Sequence, residues 1–321
     1  MIVNTHKIWR PIDMMKGLFF IINPVAGDGK SLRAWKKMKK ELEAKHISYR
    51  SFFTNHPGHA EILARQLATI QDYRLKTIIG VGGDGTLNEM INGLQSFQEV
   101  RIGFIYSGSG NDSKRRVLPT HPVKALRMLL KKVNKPFEEM DVGELHFDGK
   151  GVSRSFVNQM GVGLLAEVYY MKERIYASTH HSLIKRVMFM TSFIKVLGSY
   201  KPFSLTLDVD GITASYENVW FLSIANLPKR QGNLLISPKA SARDGKLNLM
   251  VLADLSRLKL ILLFLTGKIM RKQREESVNE LVAERVKVKT DTSLFVYADG
   301  DIMDDGSFRV HVKASSASYI A

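Results

Sequence analysis

Apolar positions in the first 135 residues alternate between two spacings. GLFFIIN (17–23), YRSFFT (49–54), LKTIIGV (75–81) and RIGFIYS (101–107) are short apolar runs. Such runs predict strands, and continuous ones predict strands buried on both faces. Between them the apolar residues fall at helical spacing. Residues 31–45 place Leu32, Trp35, Met38 and Leu42 on one face with lysines opposite, and 57–70, 86–94 and 121–133 behave alike. Strand–helix alternation with apolar strands predicts an α/β domain on a parallel sheet, residues 1–135, with 1–14 as an extension before the first strand.

The pattern changes near Pro136. Residues 138–160 predict a hairpin around FDGKG, and alternating segments follow at 203–209, 218–226 and 245–252. Asp-Gly pairs recur at 148–149, 210–211, 244–245, 299–300 and 305–306. Residues 136–321 therefore predict an antiparallel β-rich domain with helices inserted around 165–199 and 254–273. Its last strands are left open to return to the first domain.

Composition narrows the partners. The 321 residues carry a formal charge of +16 and no cysteine. Thiolate metal sites, disulfides and a cysteine nucleophile are excluded. The positive excess favours anionic partners, nucleotides or acidic lipid headgroups. No zinc-finger spacing or RNA-binding signature occurs, so nucleic acid is not expected. GLFFII is too short for a signal peptide core, and no apolar run reaches the roughly 18 residues of a spanning helix. A cytoplasmic protein, at most peripheral to a membrane, is expected. LIKRVMFMTSFIKVL (183–197) and DLSRLKLILLFLTGKIMRK (254–272) are the stretches suited to an anionic surface. The His180–His181 pair has no third ligand nearby in sequence.

Three Gly-rich loops follow strands. NPVAGDGKS (23–31) nearly fits a phosphate-binding P-loop through Gly29, Lys30 and Ser31, but its first glycine falls at Pro24. GVGGDGTLNE (80–89) fits G-x-G-x-x-G, yet the acid a dinucleotide site needs after the next strand is missing, since Glu99 precedes that strand. Asp84 would repel a bare pyrophosphate. It becomes useful if Mg²⁺ stands between it and the phosphates, which argues for phosphoryl transfer rather than hydride exchange. SGSGND (107–112) adds a third loop at the end of a strand, where open α/β sheets bind ligands.

NP-x-x-G, GGDGT-x-x-E and G-[ST]-x-ND in this order resemble the diacylglycerol kinase catalytic family, which includes bacterial soluble lipid kinases and the sphingosine and ceramide kinases. A GGDG-type loop is shared more widely, by NAD kinases and phosphofructokinases. VNQMGVGLLAEV (157–168), ISPKASARDGKLNL (236–249) and FVYADGD (295–301) extend the resemblance over nearly the whole chain and favour lipid kinases. The resemblance implies ATP and Mg²⁺ as cofactors and a lipid alcohol as substrate, with a homodimer left open.

On these residues, the resemblance implies nucleotide contacts from Asn23, Pro24, Val25, Ala26 and Gly27, with charge from Lys30 and a contact from Thr54. It implies the same of Gly83, Asp84, Gly85, Thr86, Leu87, Asn88 and Glu89, and of Ser109, Asn111 and Asp112. The family's D-G-E turn stands here as Asp299-Gly300-Asp301, with Asp299 the first choice as proton acceptor and Asp301 beside it. Asp244, with carbonyls of Ser241 and Lys246, matches a structural Mg²⁺ site. The expected reaction is phosphorylation of a lipid hydroxyl, diacylglycerol first. The alternatives are another alcohol, NAD included, and an inactive nucleotide- or lipid-binding regulator.

Overall fold

The structure is a computed structural model. It describes residues 16–71, 75–97, 99–107, 119, 121–133, 138–148, 153–178, 182–231, 234–266, 277–299, 301–305 and 307–319. The chain forms two compact units. The first takes the chain up to Met140 and again from Ser315, and the second takes Asp141–Ala314.

The first unit runs β1 (Lys16–Ile22), α1 (Ala26–Ala44), β2 (Arg50–Phe53), α2 (His59–Thr69), β3 (Leu75–Gly82), α3 (Asp84–Leu94), β4 (Val100–Tyr106) and α4 (Pro122–Lys132). Strands lie in the order β2-β1-β3-β4, all parallel. Phe19 to Ile22 of β1 are all buried, as a strand covered on both faces requires. On α1, Trp35, Met38 and Leu42 are buried at helical spacing. They join Phe20, Ile22, Ile79, Val81, Ile105 and Leu129 in one core, where Phe20 and Trp35 lie 5.0 Å apart. The predicted α/β sheet stands, with element ends shifted by one or two residues, except that α1 begins five residues earlier than expected, at Ala26.

The second unit follows with β5 (Glu138–Phe147), β6 (Ser153–Phe156), β7 (Gln159–Gly163), α5 (Leu164–Ser178), α6 (Ser182–Ser199), β8 (Phe203–Val209), β9 (Ile212–Ala225), β10 (Lys229–Gln231), β11 (Leu234–Ile236), β12 (Leu247–Ala253) and α7 (Arg257–Thr266). It ends with β13 (Val278–Ala283), β14 (Arg285–Thr290), β15 (Phe295–Ala298), β16 (Asp301–Asp305) and β17 (Phe308–Tyr319). The strands pair in the order β16-β15-β7-β9-β8-β14-β17, with β12 between β9 and β13, and β5 on β17 and β6. Beyond Ala314, β17 belongs to the first unit, where Ser318 and Tyr319 pair in parallel with Arg101 and Ile102.

The sheet of this unit is apolar on both faces. Leu247, Leu249 and Val251 of β12 enter one core, and Met250 and Leu252 enter a second beneath α5, α6 and α7. One Asp-Gly pair makes a tight hairpin: Asp210 and Gly211 both have positive φ, 50° and 91°, between β8 and β9. That is the two-residue turn that matches strand twist.

Candidate active site

The parallel strands of the first unit bring four loop starts to one edge. Asn23 follows β1, Thr54 follows β2, Gly83 follows β3 and Ser107 follows β4. Backbone bonds hold them in line: Thr54 N–H donates to the Ile22 carbonyl (2.9 Å), Asn23 N–H to Val81 (3.0 Å) and Ser107 N–H to Gly82 (2.9 Å).

Asn23 also stitches loops together through its side chain. Its Nδ2 donates to Thr86 Oγ1 at 3.1 Å, and its Oδ1 accepts the Val25 N–H at 3.2 Å. Ser31 is fully buried and donates its hydroxyl to the carbonyls of Asn23 and Ala26. The serine of the P-loop look-alike thus closes its own loop. Gly27, Asp28 and Gly29 all sit in the left-handed region, with φ of 60°, 55° and 76°. Glycine takes that conformation without cost and aspartate tolerates it, so the chain turns sharply before the regular helix. Lys30 and Val25 are exposed there.

Gly83 caps α3 in extended conformation, and Asp84 opens the helix, half-buried. The glycines here differ in kind. A Cβ on Gly80 would collide with Phe104 and Met90, and one on Gly82 with Thr86. A Cβ on Gly83 or Gly85 would meet nothing within 4 Å among the described residues. Packing among those residues therefore does not account for these two glycines. A helix N-terminus bordered by open space suits an anion, with backbone N–H groups as donors. Leu87 and Asn88 face the interior, Asn88 Oδ1 accepting Asn92 Nδ2 at 3.1 Å. Glu89 Oε2 accepts the Ala60 N–H at 2.9 Å, so this carboxylate fixes the start of α2. Ser109, Asn111 and Asp112 lie outside the described residues.

In the second unit Asp299 directly follows β15 and is 1% exposed, with φ of 49°. Its carboxylate is fully engaged. Oδ2 accepts the Val157 N–H at 2.6 Å, and Oδ1 accepts those of Asn158 and Gln159 at 3.0 and 3.1 Å. Its own N–H donates to the Gln159 carbonyl at 3.0 Å. A carboxylate accepting three backbone N–H bonds is a weak base. The preference for Asp299 over Asp301 as proton acceptor does not follow from this geometry. Asp301, at the start of β16, is exposed, and Gly300 between them lies outside the described residues.

A buried polar network extends from this turn. Asn226 Nδ2 donates to the carbonyls of Val157 (2.9 Å) and Asp141 (2.8 Å). Asp141, 4% exposed, accepts the Gly245 N–H at 2.8 Å on Oδ2 and donates its own N–H to the Ala242 carbonyl at 2.8 Å. Asp244 is exposed and its Oδ1 accepts the Lys246 N–H at 3.1 Å. Two carboxylates and several carbonyls thus share the 241–246 loop, a hard-oxygen set of the kind Mg²⁺ prefers. Asp141 and Asn226 escaped sequence reading because neither stands in a Gly-rich motif. The signal available was VNQMG, whose backbone N–H groups Asp299 accepts and whose Val157 carbonyl accepts from Asn226.

The catalytic domain description of diacylglycerol kinases matches residues 17–144, and a NAD kinase β-sandwich-like C-terminal domain, named for YegS, matches 169–318. YtlR of Bacillus subtilis, named as a candidate lipid kinase, is 32% identical over 312 residues, covering 95% of this chain and 98% of that protein. The chain belongs to the diacylglycerol kinase catalytic family. It is a lipid kinase, a phosphotransferase with an alcohol acceptor, and kinase membership implies ATP as donor. A B. subtilis diacylglycerol kinase is 26% identical over 89% of this chain and 90% of its own. Among solved structures, a diacylglycerol kinase from Bacillus anthracis str. Sterne shares the fold at TM-score 0.67 and 18% identity, over 95% of this chain and 96% of that one. Yeast NADH kinase complexed with NADH shares it at 0.53 and 10%, over 95% and 82%.

Proposed function

We propose that this lipid kinase transfers the γ-phosphoryl group of ATP to the free hydroxyl of diacylglycerol, giving phosphatidic acid. The observation that carries the mechanism is the pair of carboxylates at 299 and 301, one locked and one exposed. Asp299 holds the 157–159 backbone and thereby fixes the turn. Asp301 accepts the hydroxyl proton as the lipid oxygen attacks the γ-phosphorus and the bond to the ADP oxygen breaks. In the first unit, the open N-terminus of α3 receives phosphate oxygens, and Asn23, with Thr86, holds the first and third loops around it. Mg²⁺, when bound near Asp84, screens the triphosphate charge. A second Mg²⁺ suits the oxygen donors of Asp141, Asp244 and the Ser241 and Lys246 carbonyls.

Diacylglycerol is favoured among lipid alcohols by the B. subtilis relative that bears its name. A membrane-borne substrate also fits the second unit. Val187 of α6 and Leu258 of α7 are 63% and 79% exposed, and Ile184, Ile194, Leu262 and Leu265 are exposed with them. Their inner faces pack together, Phe193 to Phe264 at 4.9 Å. Lys195, Arg257 and Lys259 border the exposed rows. Apolar rows rimmed by cations suit the surface of an anionic bilayer. No described helix is long and apolar enough to cross a membrane.

The test is radiolabelled ATP with the full chain on mixed micelles of diacylglycerol, sphingosine, ceramide, phosphatidylglycerol or polyprenol, with NAD in parallel. Labelled phosphatidic acid is the expected product. Label on another lipid, with none on diacylglycerol, removes the substrate assignment.

A further inference from the structure

We propose that Glu144, His146 and His311 form a binding site for a zinc-class divalent ion on the second unit, separate from any Mg²⁺ of the kinase reaction. The proposal is independent of the substrate and of the proton acceptor.

Glu144 and His146 stand two residues apart on β5, so their side chains project from the same face of the strand. His311 reaches the same place from β17, which pairs with β5. Both histidines aim the same nitrogen at the same oxygen. His311 Nε2 lies 3.1 Å from Glu144 Oε2, and His146 Nε2 lies 3.7 Å from it. The imidazoles stack with centroids 5.1 Å apart and planes 9° from parallel.

Zinc binds histidine nitrogen at about 2.0–2.1 Å and carboxylate oxygen at about 2.0–2.2 Å, usually in a tetrahedron, which sets donor atoms roughly 3.3 Å apart. The three donor atoms here already lie within 4.8 Å of one another. All three side chains are half-exposed, so small rotamer changes close the remaining gap without disturbing the core. Two imidazoles and one carboxylate favour zinc, cobalt, nickel or copper over Mg²⁺ and Ca²⁺, which prefer all-oxygen sets.

Arg285 opposes His311 across β14 and β17 and opposes a cation. Arg309 is held by Asp148, Nε to Oδ1 at 2.9 Å. Glu144 supplies the negative charge, and its side chain is the least exposed of the three, so the ion would meet a partly desolvated carboxylate. A bound ion would tie β5 to β17.

Cobalt is the probe, because four-coordinate Co²⁺ shows visible d–d bands that zinc then abolishes. The full chain, stripped with a chelator and dialysed, is expected to take one equivalent with those bands. His146→Gln and His311→Gln, each checked for folding by circular dichroism, are expected to lose at least tenfold in affinity. Asp244→Asn is expected to keep the bands. Zinc at a hundredfold excess over its dissociation constant should raise the thermal midpoint by about 4–7 °C. Absence of bands in the parent protein overturns the site, and so does their persistence in His311→Gln or their loss in Asp244→Asn.

Discussion

Asp299 and Asp301 sit two residues apart, yet one is buried and bonded to three backbone N–H groups and the other is exposed, and on the proposed function substitution should separate them. Truncating Asp299 to alanine strips the acceptor from the backbone N–H groups of Val157, Asn158 and Gln159. Asp299 is buried, so water cannot readily replace the lost acceptor. Each orphaned buried donor costs about 1–3 kcal/mol. Three donors, counted at less than full cost because the turn relaxes, give about 3–6 kcal/mol. A unit of roughly 170 residues unfolds with an entropy near 0.37 kcal/mol/K, so the midpoint should fall by about 8–16 °C. Asp301→Asn removes an exposed carboxylate and should leave the midpoint within about 2 °C, while lipid phosphorylation falls at least 100-fold. Melting followed by circular dichroism and a radiolabelled-ATP assay read both quantities. If Asp299→Ala melted with the parent protein, the three-bond lock would carry no stability. If Asp301→Asn turned over at the parent rate, Asp301 would not be the proton acceptor.

Two further outcomes follow from local geometry. Gly83→Ala should fold normally, since its backbone is extended and a Cβ there meets nothing, yet raise the KM for ATP at least tenfold; Gly80→Ala should cost about 1–3 kcal/mol by overpacking against Phe104 and Met90. An unchanged KM for Gly83→Ala removes the phosphate from that space. Burial, helped by the nearby Glu167 charge, raises the pKa of Tyr200 well above the usual tyrosine value of 10.0. A raised pKa stabilises the fold below pH 10 and loses that contribution above it, as the unfolded chain ionises first. Tyr200→Phe, which also removes a buried hydroxyl that has no hydrogen-bond partner among the described residues, should therefore flatten the loss of stability between about pH 10 and 12 in urea titrations. An unchanged pH profile would refute that account.

The first unit was the legible half. Phe19 to Ile22 and Ile78 to Val81 are continuous apolar runs because both faces of their strands are covered, and each ends in a loop of glycines. In the second unit β12 forms where the segment 245–252 is expected, but it feeds one core with Leu247, Leu249 and Val251 and another with Met250 and Leu252, so it is covered on both faces and not the half-buried strand that alternation marks. β13 and β14, at VNELVA and RVKVKT, do alternate but went unassigned beside a strongly basic stretch. At the site, Asp84 and the Asp-Gly-Asp turn stood out because carboxylates beside glycine are chemically conspicuous. Which of two neighbouring carboxylates is locked was not legible. That depends on donors at 157–159, some 140 residues away in sequence.

Those donors also explain why the 241–246 loop and the Asp299 turn belong to one assembly. Asn226 is fully buried and spends one amide nitrogen on two carbonyls, that of Val157 beside Asp299 and that of Asp141 beside Gly245. Its Oδ1, the Asn158 Nδ2 and the Gln159 Oε1 have no hydrogen-bond partner among the described residues. Unpaired buried polar atoms cost stability, and here two belong to the adjoining Asn158 and Gln159 and the third to Asn226, whose N–H donates to the Asn158 carbonyl at 2.9 Å. A network built only for folding would close them or replace them with apolar groups. A network that must stay polar where a charged oxygen and a proton change hands has reason to leave them open. The strain sits where Asp299 holds a positive φ, at the turn that presents Asp301, and the compensation is the rigid frame running through Asn226 to Asp141. On the proposed function Asn226 is a positioning residue, through its bonds to the Val157 and Asp141 carbonyls. Its replacement by leucine would fill the space but leave the Asp141 and Val157 carbonyls without a donor. It would loosen the loop and the turn together, and neither could be disturbed alone.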